Sequence, residues 1–367
     1  MKKQLEPQIY VKVAKDRFKR RLARRGKTYN RFISVSKAVL GYKIIEAPVK
    51  ICLYSAHGKD NSTFLDTLIF FEKLSQAQDE HKILISFEQT TRIEAAAIIT
   101  LYALIEDLLQ QTSIKIRFSL SKMNPEVNST LRVSYLQKLM TNKSDITYNF
   151  KTKLPLPVIT GCSNQYVDSI VDYLIQSVYE GNMEPEKEWT ISVAIQEAVN
   201  NVGLHAYPAD DSGKKKWWIL CQVIDKQLYL AIYDKGVGIP MTIVQRGFFS
   251  SRFRSNYPNA YSMYVKMLRS SGRAAALSSV VGGTKRLLSD SEAINLSMIP
   301  DSTRTSKSKH GQGSKSIKRL VEENVDGKLW IFSNSGLYVK SQGAEQDLVD
   351  LPMPISGTLV QWNINLV

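Results

Sequence analysis

The stretch Glu197-Ala-Val-Asn-Asn201-Val-Gly-Leu-His205-Ala-Tyr207 decides how this chain is read. Glu197 and Asn201 are four residues apart, so on a helix they share one face. A carboxamide oxygen is a ligand for a hard cation such as Mg²⁺, which stays bound to substrate phosphates. A carboxylate one turn back can orient or deprotonate the group that attacks a γ-phosphate. A solvated helix face would also carry such a pair, so its meaning depends on the remainder of the chain.

Three further stretches occur after it, in order. The apolar run Leu228–Tyr233 predicts a strand, and Asp234-Lys-Gly-Val-Gly238 sits at its end. Gly236 and Gly238 allow a tight turn and a close approach to a ligand, although a plain hairpin turn would also use them. His310-Gly311-Gln-Gly313 opens a helical run, Ser316 to Glu323, whose free N–H groups would face an anion. Gly357-Thr358 precedes the last expected strand.

This ordered set resembles the GHKL ATPases, the group of gyrase, heat-shock chaperones, histidine kinases and MutL, over roughly residues 160–367. The resemblance implies a Bergerat-type α/β sandwich that binds ATP and Mg²⁺. It makes Glu197 the candidate base, Asn201 the Mg²⁺ ligand and Asp234 the acid that meets adenine. It assigns Gly236 and Gly238 to the first glycine box and Gly311 and Gly313 to the second, with Thr358 near the adenine side. The run Glu-Ala-Val-x-Asn-x-x-x-His-x-Tyr is most similar to the anti-sigma-factor serine kinases.

The 69 residues 241–309 separate the glycine boxes, the place of the ATP lid in the family. A helix is expected over Ala260–Arg269, a hinge at Gly282-Gly283, and a mobile polar run over Asp301–Lys309. Arg304, Lys307 and Lys309 are candidates to meet triphosphate oxygens. An exposed basic loop is the plainer reading of any one of them.

Residues 48–155 read as an independent α/β domain. Strands are expected at Val49–Tyr54, His81–Phe87 and Ile114–Leu120, and helices at Phe64–Gln76, Glu94–Gln110 and Val127–Met140. Strands alternating with helices imply a mostly parallel sheet. This layout resembles a STAS domain, the anti-anti-sigma fold, where an acceptor Ser or Thr begins the helix after the second of these strands. Here that position reads Glu94-Ala-Ala-Ala97, which has no hydroxyl. The domain is therefore expected to dock or sense rather than to be phosphorylated.

Residues 1–47 form a basic arm. Lys12, Lys15, Arg17, Lys19, Arg20, Arg21, Arg24, Arg25, Lys27 and Arg31 stand against the single Asp16, giving +9 of the chain's net +15. A helix is expected from Ala14 to Arg25. A solvated charged face, nucleic-acid backbone binding and an acidic protein partner all fit such a stretch.

No apolar run approaches the roughly 18 residues that span a bilayer, so no membrane association is expected. Cys52, Cys162 and Cys221 are scattered, which fits a reducing, cytoplasmic setting. No histidine lies between His81 and His205, so the phospho-accepting helix of a sensor kinase is not expected. With Val367 as the last residue, a gyrase-type transducer is not expected. Two mechanisms share the pocket. One is an ATP-driven switch with slow hydrolysis, meeting a protein partner through the STAS-like domain or the lid. The other is a serine/threonine kinase. A nucleic-acid-associated ATPase using the basic arm is a third reading, and the resemblance also makes a homodimer one expected assembly.

Overall fold

The computed structural model describes residues 16–17, 20, 38–39, 41–58, 60–141, 146–153, 155–208, 215–245, 258–270, 288–299 and 313–366. It is a mixed α/β fold with parallel and antiparallel sheets. The chain divides into two compact units, Met1–Ile44 and Ile45–Val367. In the first, Asp16, Arg17 and Arg20 are helical, and most of the basic arm lies outside the described residues. Strand β1 (Ala38–Val39) turns at Gly41 to pair with the start of β2 (Tyr42–Glu46).

The second unit begins as an α/β alternation: β3 (Lys50–Ile51), α1 (Ser62–Ser75), β4 (Lys82–Ser86), β5 (Arg92–Ile93), α2 (Ala95–Gln111) and β6 (Lys115–Ser119). The pairs β4–β6 and β3–β5 are both parallel. The strand expected over Val49–Tyr54 is only two residues long and gives way to a 3-10 turn, Tyr54–His57. The single helix expected over Val127–Met140 is two, α3 (Pro125–Val133) and α4 (Leu136–Thr141). Tyr135 adopts a left-handed φ of 62° between them, which ends α3.

The rest of the unit is built on five antiparallel strands: β7 (Ile159–Cys162), β8 (Lys216–Ile224), β9 (Gln227–Asp234), β10 (Lys328–Ser341) and β11 (Asp347–Asn365), ordered β10-β11-β9-β8-β7. The β8–β9 turn places Asp225 and Lys226 at φ of 49° and 62°, the left-handed pair a two-residue hairpin prefers. The β10–β11 hairpin is longer than its apolar runs suggest. Pro352 and Pro354 lie where the ladder shifts register, between the pairs Asn334↔Ile355 and Gly336↔Asp350, so their missing N–H groups break no bond.

Side chains alternate across this sheet, and both faces are buried. Trp217, Ile219, Leu230, Ile232 and Trp362 face a core made with α5 (Val167–Tyr173), α6 (Pro185–Asn201) and α10 (Gly313–Glu322). Trp218, Leu220, Tyr233, Phe332 and Leu359 face the other way, into a core shared with α1, α2 and β4. The unbroken run Trp217-Trp-Ile-Leu-Cys221 is thus a strand covered on both sides.

The boundary expected at residues 155/156 is therefore no break in packing. Helix α2 lies against β8 and β9, and fourteen of its seventeen residues are buried. A helix buried on nearly every side belongs inside a protein, and the sheet of residues 159–365 supplies part of its cover.

Among the described residues of the 241–309 span are α7 (Ile239–Gln245, which begins two residues earlier), α8 (Pro258–Ser270) and α9 (Asp290–Ser297). Their side chains Ile243, Tyr264, Leu268 and Leu296 form a small core of their own. A Ser289/Glu292 capping box starts α9, and Asp290 Oδ2 accepts from the Ser335 N–H at 2.8 Å. That part of the span is anchored to β10. The expected hinge and polar run lie outside the described residues. Among the described residues no helix is long and apolar enough to cross a membrane.

Candidate functional site

Pro185 starts α6 at a position where its missing N–H costs nothing, and Glu186 and Glu188 complement the helix dipole there. Glu197 and Asn201 occupy its last turns and are half-buried. Glu197 is engaged in an interaction of its own. Among the described residues the Asn201 carboxamide has no hydrogen-bond partner. The helix continues as a π-helical segment, Val202–Ala206, a geometry often found at functional sites.

That segment meets the first glycine box through the backbone. The Ala206 carbonyl accepts the Val237 N–H at 2.8 Å. A Cβ on Gly236 would run into the same carbonyl, so Ala206 can come this close only to a glycine. Gly238 has φ of +83° and lies against Asn334, whose Nδ2 donates to the Val237 carbonyl at 3.1 Å. The sequence suggested that these glycines make room for a ligand. They also make room for the chain itself, where the box lies between α6 and β10.

Asp234 ends β9 and is 6% exposed. Its Oδ1 accepts from the Gly236 N–H at 2.8 Å, and the Thr358 backbone also bonds to the carboxylate. Those bonds favour the ionised form, but burial outweighs them and pushes the carboxyl up to about 7. Thr358 stands opposite Asp234 in register and opposite Ser333 on its other side. It lies inside β11 rather than before the last strand, because the hairpin is longer than expected. Ser333 Oγ ties the corner together: it donates to the Gly357 carbonyl at 3.0 Å, accepts from the Ile239 N–H at 2.9 Å, and lies 3.0 Å from Thr358 Oγ1.

Glu197, Asn201, Asp234, Gly236, Gly238 and Thr358 thus belong to one connected assembly of helix end, turn and strand. Gly313 opens α10, which packs on α6; Glu323 Oε2 accepts from Thr190 Oγ1, and Arg319 reaches Glu186 and the Trp189 ring. Gly311 and Arg304 lie outside the described residues. Sequence reading passed over Ser333, Asn334 and Lys235. An Asn-Ser-Gly run inside an apolar strand pattern was the signal for a bulge there.

The residues that the STAS resemblance singles out, Ala95, Ala96 and Ala97, are 5%, 0% and 0% exposed. The position lacks both a hydroxyl and access. A scan of the chain against protein-family models finds no match, and a search of the curated proteins finds no relative.

Proposed function

We propose that residues 156–367 are a GHKL-type domain that binds ATP and Mg²⁺, fused to a STAS-like module, and that the protein is an ATP-dependent regulatory switch with slow hydrolysis. The observation that carries this reading is the junction of Ala206 with Val237. It joins the helix bearing Glu197 and Asn201 to the turn bearing Asp234, so one nucleotide would bridge the two.

In this reading Asp234, once ionised, accepts from the adenine amine, and Thr358 borders it. Asn201 would hold the metal through its carboxamide oxygen, and a half-buried amide oxygen that no described residue bonds suits a hard cation. Held there, the cation would neutralise charge on the phosphate oxygens. Glu197 positions the attacking water, and catalysis is mainly orientation. The burial of Ala95–Ala97 favours a switch over a kinase acting on its own module. With α2 enclosed, a protein partner would meet the 241–309 span or the outer edge of the module.

Incubation with γ-labelled ATP and cell extract tests this. Free phosphate that disappears in Glu197→Ala, with nucleotide binding retained, is the expected result. Label transferred to a protein would replace the switch by a kinase. Neither signal, from protein that binds ATP, would remove catalysis from the reading.

A further inference from the structure

Lys235 lies between Asp234 and Gly236 in the Asp234–Gly238 box, and it is held at both ends. Its backbone N–H donates to Tyr207 Oη at 3.0 Å, and that hydroxyl donates on to the Lys216 carbonyl at 2.8 Å. Its ammonium lies 2.6 Å from Asp107 Oδ2. Asp107 belongs to α2, more than a hundred residues earlier in the chain. Both side chains are largely shielded, at 26% and 18% exposure, so the pair is poorly screened.

The neighbours define what Asp107 does. The adjacent Glu106 is fully engaged in the core: Oε1 accepts from Thr160 Oγ1 and Oε2 from Trp218 Nε1, both at 2.9 Å. Lys216 Nζ sits 2.7 Å from Glu106 but 3.7 Å from Asp107. Glu106 therefore docks the helix on the sheet, while the short bond of Asp107 goes to the glycine box. Lys235 stands between the Asp234 carboxylate and the Gly236 N–H that carboxylate accepts. A shift of its Cα would move both.

We propose that Asp107 is a positioning residue for the nucleotide site: through Lys235 it fixes the Asp234–Gly238 turn, so that nucleotide affinity depends on the docked STAS-like module. The proposal rests on the reading of that turn as an adenine site. It supplies a path by which a partner that disturbs α2 would change ATP binding, and linkage makes the path reciprocal.

The test is a double-mutant cycle on the full chain, read by titration of Mg²⁺-ATP and by amide hydrogen exchange of residues 235–238. Asp107→Ala and Lys235→Met are each expected to weaken ATP binding about five- to tenfold, a usual size for coupling between sites. The double variant should be no weaker than either single one, and Asp107→Glu should recover most of the loss. Each single variant should speed exchange at 235–238. Thr67→Ala on α1 is the control: its buried hydroxyl bonds the Cys52 and Thr63 backbone and shares no partner with Asp107, so the change should lower thermal stability and leave ATP affinity within about twofold. Additive losses, or faster exchange with unchanged affinity, would overturn the proposal. Wild-type protein that binds no ATP would instead remove the reading beneath it, whatever the exchange data showed.

Discussion

The backbone N–H of Val237 donates to the carbonyl of Ala206 at 2.8 Å, and this bond fastens the turn after β9 to the end of α6. It lets two distant stretches act as one site, and it makes the geometry sensitive to small changes on either side.

Gly236 is the point of closest approach. Alanine there would drive its methyl into the Ala206 carbonyl, which is backbone and has nowhere to go. Gly236→Ala should cost about 2 kcal/mol or more in urea unfolding and abolish ATP binding. Gly203, three residues from Ala206, has open space at its Cβ position. Gly203→Ala should be neutral or stabilise by up to about 1 kcal/mol, with binding intact.

Asp234 gives the site a pH dependence. Its carboxyl is raised from an ordinary 3.8 to about 7, so the folded free protein holds a proton there that the unfolded chain releases earlier. Its contribution to stability is present below about pH 4 and is lost as pH rises through about 7. Nucleotide binding runs the other way, because the ionised form accepts from adenine. ATP affinity should rise about tenfold between pH 6 and pH 8, and Asp234→Asn should bind weakly with that dependence gone. A titration series at both pH values checks this.

Glu106 is a carboxylate at 6% exposure with every partner inside the chain. Glu106→Ala takes the carboxylate from Thr160 Oγ1 and the Trp218 indole N–H and leaves Lys216 with Gln110 and the more distant Asp107. It should cost about 3 kcal/mol, the usual loss when one member of a buried pair is removed. Chemical denaturation followed by tryptophan fluorescence measures it.

A fragment of residues 156–367 should fail to fold as a monomer. Without α1 and α2, Trp218, Tyr233, Phe332 and Leu359 would be left on an open sheet face, an apolar surface larger than soluble monomers carry. Residues 45–367 should unfold in one transition. Size-exclusion chromatography of the fragment and calorimetry of the longer piece are the measurements. A monodisperse, cooperatively folded fragment would show the independent domain that the sequence suggested.

Much of the fold was legible because its periodicities are strong. The β8–β9 hairpin could be read from two apolar runs around Asp225-Lys-Gln227, and α6 from its acidic start. The candidate site residues on these elements came from the family resemblance of the ordered motifs; spacing by itself put only Glu197 and Asn201 on one helix face. What stayed hidden was long-range. The run Ala95–Leu109 is apolar except for Thr100, Glu106 and Asp107, which marks burial without naming what buries it. Tyr135 gave no warning that α3 stops before it, because its left-handed backbone is set by tertiary packing. The prolines of β11 masked the first half of a long strand. Lys235 looked like filler between Asp234 and Gly236, since its partner Asp107 lies on another element.

The most direct measurement is a calorimetric titration of ATP with Mg²⁺ into the full chain and into Asp234→Asn. Binding at one site per chain, weakened at least tenfold in the variant, is the predicted result. No heat from wild-type protein shown to be folded, or equal affinity in the two proteins, would contradict an adenine-nucleotide site at this turn.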